Sequence, residues 1–418
     1  MTSGQGHVIV VGGGVIGAAC AYYLRQSGRP VTILEQGAFG KGCSHGNCGL
    51  VSPSHILPLA GPGAVRTALA ALLRPNGPLA IKPRLDPSLW SWLYHFARRC
   101  NRHDMMEAGR AIQALLNSSR RLYDQLMAEE AIECEWEARG VLFVLRTPAG
   151  MKHHAETAKL LGESFDVHPK PLDGKDMLAL EPALKPGLPG GWLYEEDAHL
   201  RPDRLMASWR QSLSARGVTV HEGCAVRSII REDSRAQAVM TQRGRLEAEA
   251  FVFATGALTP LLEEHLGCRI PIQPGKGYSI TMPRPAPCPS RPLIFEEHRV
   301  VATPMRSGYR LGSTMEFAGY DSTLSRRRLE LLREGARHYL HEPYGDFVKE
   351  EWFGWRPMTY DGKPIIDRSP ALTNVLIAAG HNMLGLSMAP ATGKLVAELL
   401  NGEVPHVDPA PYSVSRFS

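Results

Sequence analysis

The sequence predicts a chain of mixed α/β and α+β character in two discontinuous domains. One is built on a parallel sheet, the other on a mixed or antiparallel sheet. Three observations predict this. A strand, a glycine loop, a helix and a second strand follow one another between Val8 and Glu35. Blocks rich in short strands begin at Val141 and Ile270. Strand and helix signals alternate again after Asn374.

The elements follow in order. His7–Val11 is a β-branched run with the length of a strand buried on both faces. Ala18–Gln26 reads as a helix closed by Ser27-Gly28, and Val31–Leu34 as the next strand. A βαβ unit of this kind crosses over right-handedly into a parallel sheet. Residues 62–132 read as helices broken by Pro and Gly, at Ala64–Leu73, Ser88–Arg99 and near Met105–Ala128. After the strand Val141–Leu145 come helices around 151–163 and 203–216. The segments Val218–Val220, Ala225–Ile230, Ala238–Thr241 and Ala250–Ala254 resemble a small meander feeding a last parallel strand. The block Ile270–Ser313 is punctuated by Pro283, Pro285, Pro287 and Pro289. A helix at Ser325–Leu340, a strand at Asn374–Ala379 and a helix at Ala391–Asn401 complete the chain. Residues 1–60, 195–268 and 350–418 are therefore expected to form a nucleotide domain, and 61–194 and 269–349 a substrate domain.

Composition narrows the function. With 418 residues, 44% of them hydrophobic and 21% charged, the chain is globular rather than disordered. A net charge of +5 spread along it argues against nucleic-acid binding. The eight cysteines form no CxxC and no paired zinc spacing, so no metal site is expected and the thiols are expected reduced, as in the cytoplasm. No signal peptide and no window of 18 uninterrupted apolar residues is found.

Gly12, Gly14 and Gly17 form GxGxxG between strand and helix. The first glycine permits the tight turn, the second the close approach of a pyrophosphate, the third helix–strand packing. Free N–H groups and dipole at the helix start, at Val15 and Ile16, suit phosphate. Glu35 is placed to accept from an adenosine ribose and would repel a 2′-phosphate, which leaves FAD or NAD. The small, polar loop 40–53 follows the second strand directly, and Phe251–Ala257 ends a buried strand in small residues that include Thr255 and Gly256. Both favour an extended FAD.

Further motifs occur in order over residues 8–394: Ser44-His-Gly-Asn-Cys-Gly49, Ala254-Thr-Gly256, Pro274-Gly-Lys-Gly-Tyr-Ser279, Arg310-Leu-Gly-Ser-Thr-Met-Glu-Phe317, Gly354-Trp-Arg-Pro-Met-Thr359 with Asp361-Gly-Lys-Pro364, and Gly380-His-Asn-Met-Leu-Gly-Leu386. With these the chain resembles the D-amino-acid oxidase superfamily of FAD proteins, most closely the bacterial D-amino-acid dehydrogenases. It departs from the dehydrogenases at His45-Gly46 and Cys48. The resemblance implies that Arg356 binds a substrate carboxylate, a role its planar two-toothed cation suits. It implies FAD contacts at Gln36, Ser44, His45, Gly46, Asn47, Gly49 and Val226, and along Gly380, His381, Asn382, Met383, Leu384 and Gly385. His45 would contact the flavin or carry it covalently. His381 is a candidate base, and Lys276, Tyr278, Tyr309, Ser313 and Met383 are candidates for the substrate wall.

The activity implied is oxidation of a D-amino acid to a 2-oxo acid and ammonia by hydride transfer from Cα to flavin N5, with a quinone-type acceptor or dioxygen taking the electrons. D-hydroxyproline dehydrogenase, a glycine- or sarcosine-type oxidase and an FAD-bound subunit of a larger complex are the alternatives. The segment Ala64–Leu73 with Arg74, Trp90, Trp92, Tyr94, Arg98 and Arg99 reads first as a domain-packing helix, and second as a basic amphipathic surface resting on a membrane.

Overall fold

The chain's structure is a computed structural model that describes residues 6–72, 77 and 79–417. The β-branched strand Val8–Val11 lies at the centre of a six-stranded sheet, buried along its whole length. It pairs in parallel with Val31–Leu34 on one side and Ala250–Phe253 on the other. Thr219–His221 and Val375–Ala379 extend the parallel sheet, and Ile365–Arg368 closes one edge antiparallel. The helices Val15–Gln26 and Gly385–Asn401 pack together over one face of the sheet in an apolar core, and the other face buries a second one around Ile9, Val11, Phe251 and Phe253.

The second sheet has nine strands and is mixed. Along one path run Glu350–Thr359, Ile272–Met282, Gly308–Phe317, Val300–Met305, Leu293–Phe295, Val141–Leu145, Gly190–Tyr194 and Lys170–Asp173. Leu79–Ile81 pairs beside Gly308–Phe317. The parallel pairings are Leu293–Phe295 with Val141–Leu145 and Leu79–Ile81 with Gly308–Phe317. The helix Arg326–Arg337 covers one face, with Leu329, Leu332 and Ala336 in the core.

Several elements depart from the sequence reading. Glu350–Thr359 pairs along its length with Ile272–Met282, so it belongs to the second sheet and not to the nucleotide sheet expected from 350 onward. The helix Arg102–Glu129, read as part of the substrate domain, packs instead on Gly385–Asn401. Its Tyr123 hydroxyl donates to Leu386 O at 2.8 Å. Local periodicity reveals an element but not its partner across the chain. The helix Gly385–Asn401 also begins six residues before the expected Ala391, with Pro390 tolerated inside it. The meander is a separate three-stranded sheet of Val226–Glu232, Arg235–Thr241 and Gly244–Glu247.

The helix Ala64–Leu72 is not the packing helix the sequence suggested: it buries no residue, and Leu69 is 58% exposed. Trp90 and Tyr94 are likewise exposed, whereas Trp92 is buried and donates from Nε1 to Met358 O at 2.9 Å. Leu73 and Arg74 lie outside the described residues. No helix among the described residues is long and apolar enough to cross a membrane.

Candidate active site

A cavity of about 1490 Å³ runs from the glycine loop to the second sheet. At its first end Gly12, Gly14, Val15 and Ile16 line the wall. Gly12 adopts φ +108°, and a Cβ on Gly17 would lie 1.8 Å from Gly12 O. Gly17 therefore stands behind the wall and lets the helix close on the strand. Ser44 Oγ accepts from Val15 N at 2.8 Å, supplying the helix start with a cap that Gly14 lacks. Glu35 accepts from Gly13 N at 2.7 Å and Gly37 N at 2.8 Å, which fixes its carboxylate at the cavity edge beside Gln36. Val226, Thr255 and Gly256 face it from the neighbouring elements.

The loop 44–49 is held from three strands of the second sheet. Ser279 Oγ donates to Gly46 O at 2.7 Å, Thr303 Oγ1 to Cys48 O at 2.8 Å, and buried Arg310 to Asn47 O at 2.8 Å. Gly46, Asn47 and Gly49 line the cavity. His45 does not: its Nε2 meets Glu350 Oε1 at 2.7 Å and its Nδ1 lies 3.4 Å from Lys41 Nζ. The hydrogen bond to Glu350 turns the ring away from the cavity, so the expected flavin contact or covalent link at His45 has no support in this geometry.

At the second end stands Arg356, on Glu350–Thr359. Its guanidinium lies across Gly277, where a Cβ would come within 2.3 Å of Arg356 Cζ. The strand Gly308–Phe317 bulges here: Lys276 pairs with Glu316 but Tyr278 with Ser313, and Ser313 and Thr314 take φ of +113° and +55°. The bulge presents Thr314 O to Arg356 Nη1 at 2.7 Å. No carboxylate among the described residues pairs with this cation. Burial pulls its pKa below the ordinary value, opposed by Cys43 and Cys48. An always-charged, half-buried guanidinium facing a cavity calls for an anion.

Two tyrosines expected in the wall behave differently. Side chains alternate along a strand, and Ser279 faces the loop 44–49, so Tyr278 turns to the opposite core beside Ile280 and Met282. Its hydroxyl donates to Glu316 Oε2 at 2.5 Å, leaving other atoms of the residue to touch the cavity. Tyr309 is fully buried in that same core and does not reach the cavity. Lys276 is buried as well, its Nζ over the Phe353 ring and donating to Thr323 O. Ser313 lines the cavity.

The loop 380–385 closes the site. Asn382, at φ +51°, donates from Nδ2 to Thr359 Oγ1, Gly362 O and Gly380 O, and its backbone N donates to Pro357 O. This ties the loop to the strand of Arg356. His381, Asn382, Met383, Leu384 and Gly385 line the cavity, while Gly380 supports the turn behind it. The helix Gly385–Asn401 starts with no side-chain cap and no acidic residue in its first turn, so its N–H dipoles stay open to a ligand. His381 Nε2 lies 3.0 Å from Thr392 Oγ1, and burial pushes its pKa down to about 3. A ring held neutral this firmly is a poor proton acceptor, which corrects its reading as a base.

Sequence reasoning missed two buried polar atoms in the wall: Thr314 Oγ1 and Trp355 Nε1 have no hydrogen-bond partner among the described residues. Thr314 and Trp355 sit inside the motifs Arg310–Phe317 and Gly354–Thr359, but no local signal shows that they are left unpaired. Two helix starts, a ribose-placed acid and these orphaned groups fit an extended dinucleotide ending in a polar ring.

Comparison with known proteins agrees. Residues 7–399 match the FAD dependent oxidoreductase family, DAO. The chain belongs to this family. It is 34% identical to a D-amino acid dehydrogenase of Xanthobacter autotrophicus, over 98% of this chain and 99% of the relative. It is also 34% identical to a D-amino acid dehydrogenase of Methylobacterium radiotolerans, over 99% and 100%. Among solved structures, glycine oxidase from Geobacillus kaustophilus superposes with a TM-score of 0.78 at 22% identity, covering 99% of both chains. L-proline dehydrogenase from P. horikoshii does so at 0.72 and 20%, covering 99% and 98%. The family's cofactor is FAD, and its members are oxidoreductases.

Proposed function

We propose that this FAD-dependent enzyme oxidises D-amino acids, with Arg356 binding the substrate carboxylate. The observation that carries the reading is the half-buried guanidinium facing the cavity, with no acidic partner among the described residues. The curated relatives, named D-amino acid dehydrogenases over nearly their full length, support the substrate class. Gly12, Gly14 and Glu35 would hold the adenosine and pyrophosphate, and the loops 44–49 and 380–385 the ring end. Bound FAD supplies a two-electron acceptor.

The chain's own residues then do three things. Arg356 fixes the carboxylate and through it the orientation of Cα. Arg310 and Asn382 tie the loops 44–49 and 380–385 to the second sheet and its flanking turn, which fixes the walls around the reacting face. The open helix start at Gly385 favours negative charge gathering nearby. The acids and the histidine nearest the loops are already committed: Glu35 is held by two N–H donors, Glu296 pairs with Arg299, and burial holds His381 neutral. A substrate bound with its amine neutral needs no strong base.

The test is anaerobic mixing of the FAD-loaded protein with D- and L-amino acids. Bleaching by D-amino acids is expected. Arg356→Ala should raise the substrate KM roughly 100-fold, the equivalent of about 3 kcal/mol for a charge-assisted pair, with flavin retained. An unchanged KM would remove Arg356 from the site. For the acceptor, the exposed apolar residues Leu59, Leu69 and Trp90, which line the cavity mouth, favour a quinone-type molecule met at a membrane surface. Co-sedimentation with anionic lipid vesicles, lost in Leu69→Glu, is the expected result.

A further inference from the structure

We propose that the part of the cavity beyond Arg356 is the pocket for the substrate's side chain, and that it selects large, uncharged, apolar or aromatic side chains over small ones. This rests on the carboxylate role proposed for Arg356.

The lobe is built by strand alternation. Across the sheet from the bulge, Val301, Ile294 and Phe143 line the cavity, while Val300, Leu293 and Leu142 pack into the core on the other face. Their register is continuous across the strands: Gly312, next to Ser313 of the bulge, pairs with Val301, Val301 with Ile294, and Ile294 with Phe143. Neighbouring strands lie roughly 5 Å apart, so the three residues stand about one, two and three strand spacings from the strand whose Thr314 holds Arg356. With its carboxylate on Arg356, a methyl side chain stops short of this row. A leucine- or phenylalanine-sized one covers Val301 and Ile294 and leaves water behind, a gain of roughly fourfold in affinity for each buried CH2.

The far wall is packed with rings, and its acid and guanidinium offset each other. The Phe143 ring packs against Tyr194 at 4.9 Å and His154 at 5.1 Å. Beyond it Arg299 and Glu296 also line the cavity, paired with each other at 2.8 Å. With the two charges offsetting each other at the solvent edge, a charged side chain gains little there, whereas a neutral one loses nothing. His55, on the same wall, is pushed towards its neutral form by burial and by Arg299.

The experiment compares anaerobic flavin reduction by D-alanine, D-phenylalanine and D-glutamate in the wild-type holoenzyme and in two variants. Wild type is expected to favour D-phenylalanine. Ile294→Trp, which fills the lobe, is expected to lower the D-phenylalanine to D-alanine ratio of kcat/KM by roughly 30-fold or more. Ile294→Ala, which enlarges it and keeps the fold if the bulky variant does not, is expected to shift preference towards D-tryptophan. Ratios unchanged in both variants, or a wild-type preference for D-alanine or D-glutamate, would overturn the lobe assignment while leaving D-amino-acid oxidation standing. Failure of every D-amino acid to bleach the wild-type flavin would overturn that reading and the lobe with it.

Discussion

The two ends of the cavity are built on opposite principles. The first is local: a strand, three glycines, a helix start and an acid, all between Val8 and Glu35, with Ser44 reaching in to cap. Its donors are largely paired already. The second is assembled from Ile272–Met282, Gly308–Phe317, Glu350–Thr359 and the loop after Val375–Ala379. It holds an unpaired cation and two orphaned polar atoms, Thr314 Oγ1 and Trp355 Nε1. The site that carries specificity is thus the one whose polar groups are left unsatisfied by the fold, a state that only dense long-range packing can maintain.

The largest effect that would sharpen this contrast is on stability in acid. His381, 2% exposed, titrates near 3 in the fold but near 6.5 when unfolded. The unfolded chain therefore takes up the proton first, so this contribution is complete above pH 6.5 and lost as pH falls towards 3, on the order of 5 kcal/mol in all. Urea titrations across that range should show the loss, and His381→Asn should flatten it. A wild-type curve with no such limb would break the contrast.

Next in size is Gly277→Ala. The added methyl would sit 2.3 Å from Arg356 Cζ and displace the guanidinium. A fall in kcat/KM of roughly 100-fold, about 3 kcal/mol, is expected with flavin content unchanged. Loss of flavin instead would mean that the two ends are not separable.

The smallest effect belongs to the local end. Ser44→Ala removes the cap on Val15 N and should destabilise the protein by about 1 kcal/mol. FAD affinity should weaken with it, read by fluorescence titration of the apoprotein, while the substrate KM holds. A change in KM larger than in FAD affinity would reverse the assignment of the two ends.

Much of this was legible beforehand, for physical reasons. Gly12, Gly14 and Glu35 could be placed because their neighbours in space are neighbours in sequence. Arg356 was found through its motif, yet its lack of an acidic partner could not be, since that depends on every chain segment packed around it. Tyr309 was misplaced because a period of two tells which residues share a face but not which face meets the cavity. The outward turn of His45 rests on Glu350, 305 residues away. The exposed face of Ala64–Leu72 was read as a packing surface because amphipathicity alone does not say what covers it.

By itself, then, the amino-acid order determined a parallel-sheet core with a phosphate-ready helix start, since hydrophobic runs and glycine spacing act within one turn or one strand. Only the tertiary structure decided where a bulge at Ser313–Thr314 would aim a carbonyl, that a guanidinium would cross Gly277 unpaired, and how far the cavity continues past it. Those features arise from strand register, and register is set by the packing of whole sheets rather than by any stretch of sequence.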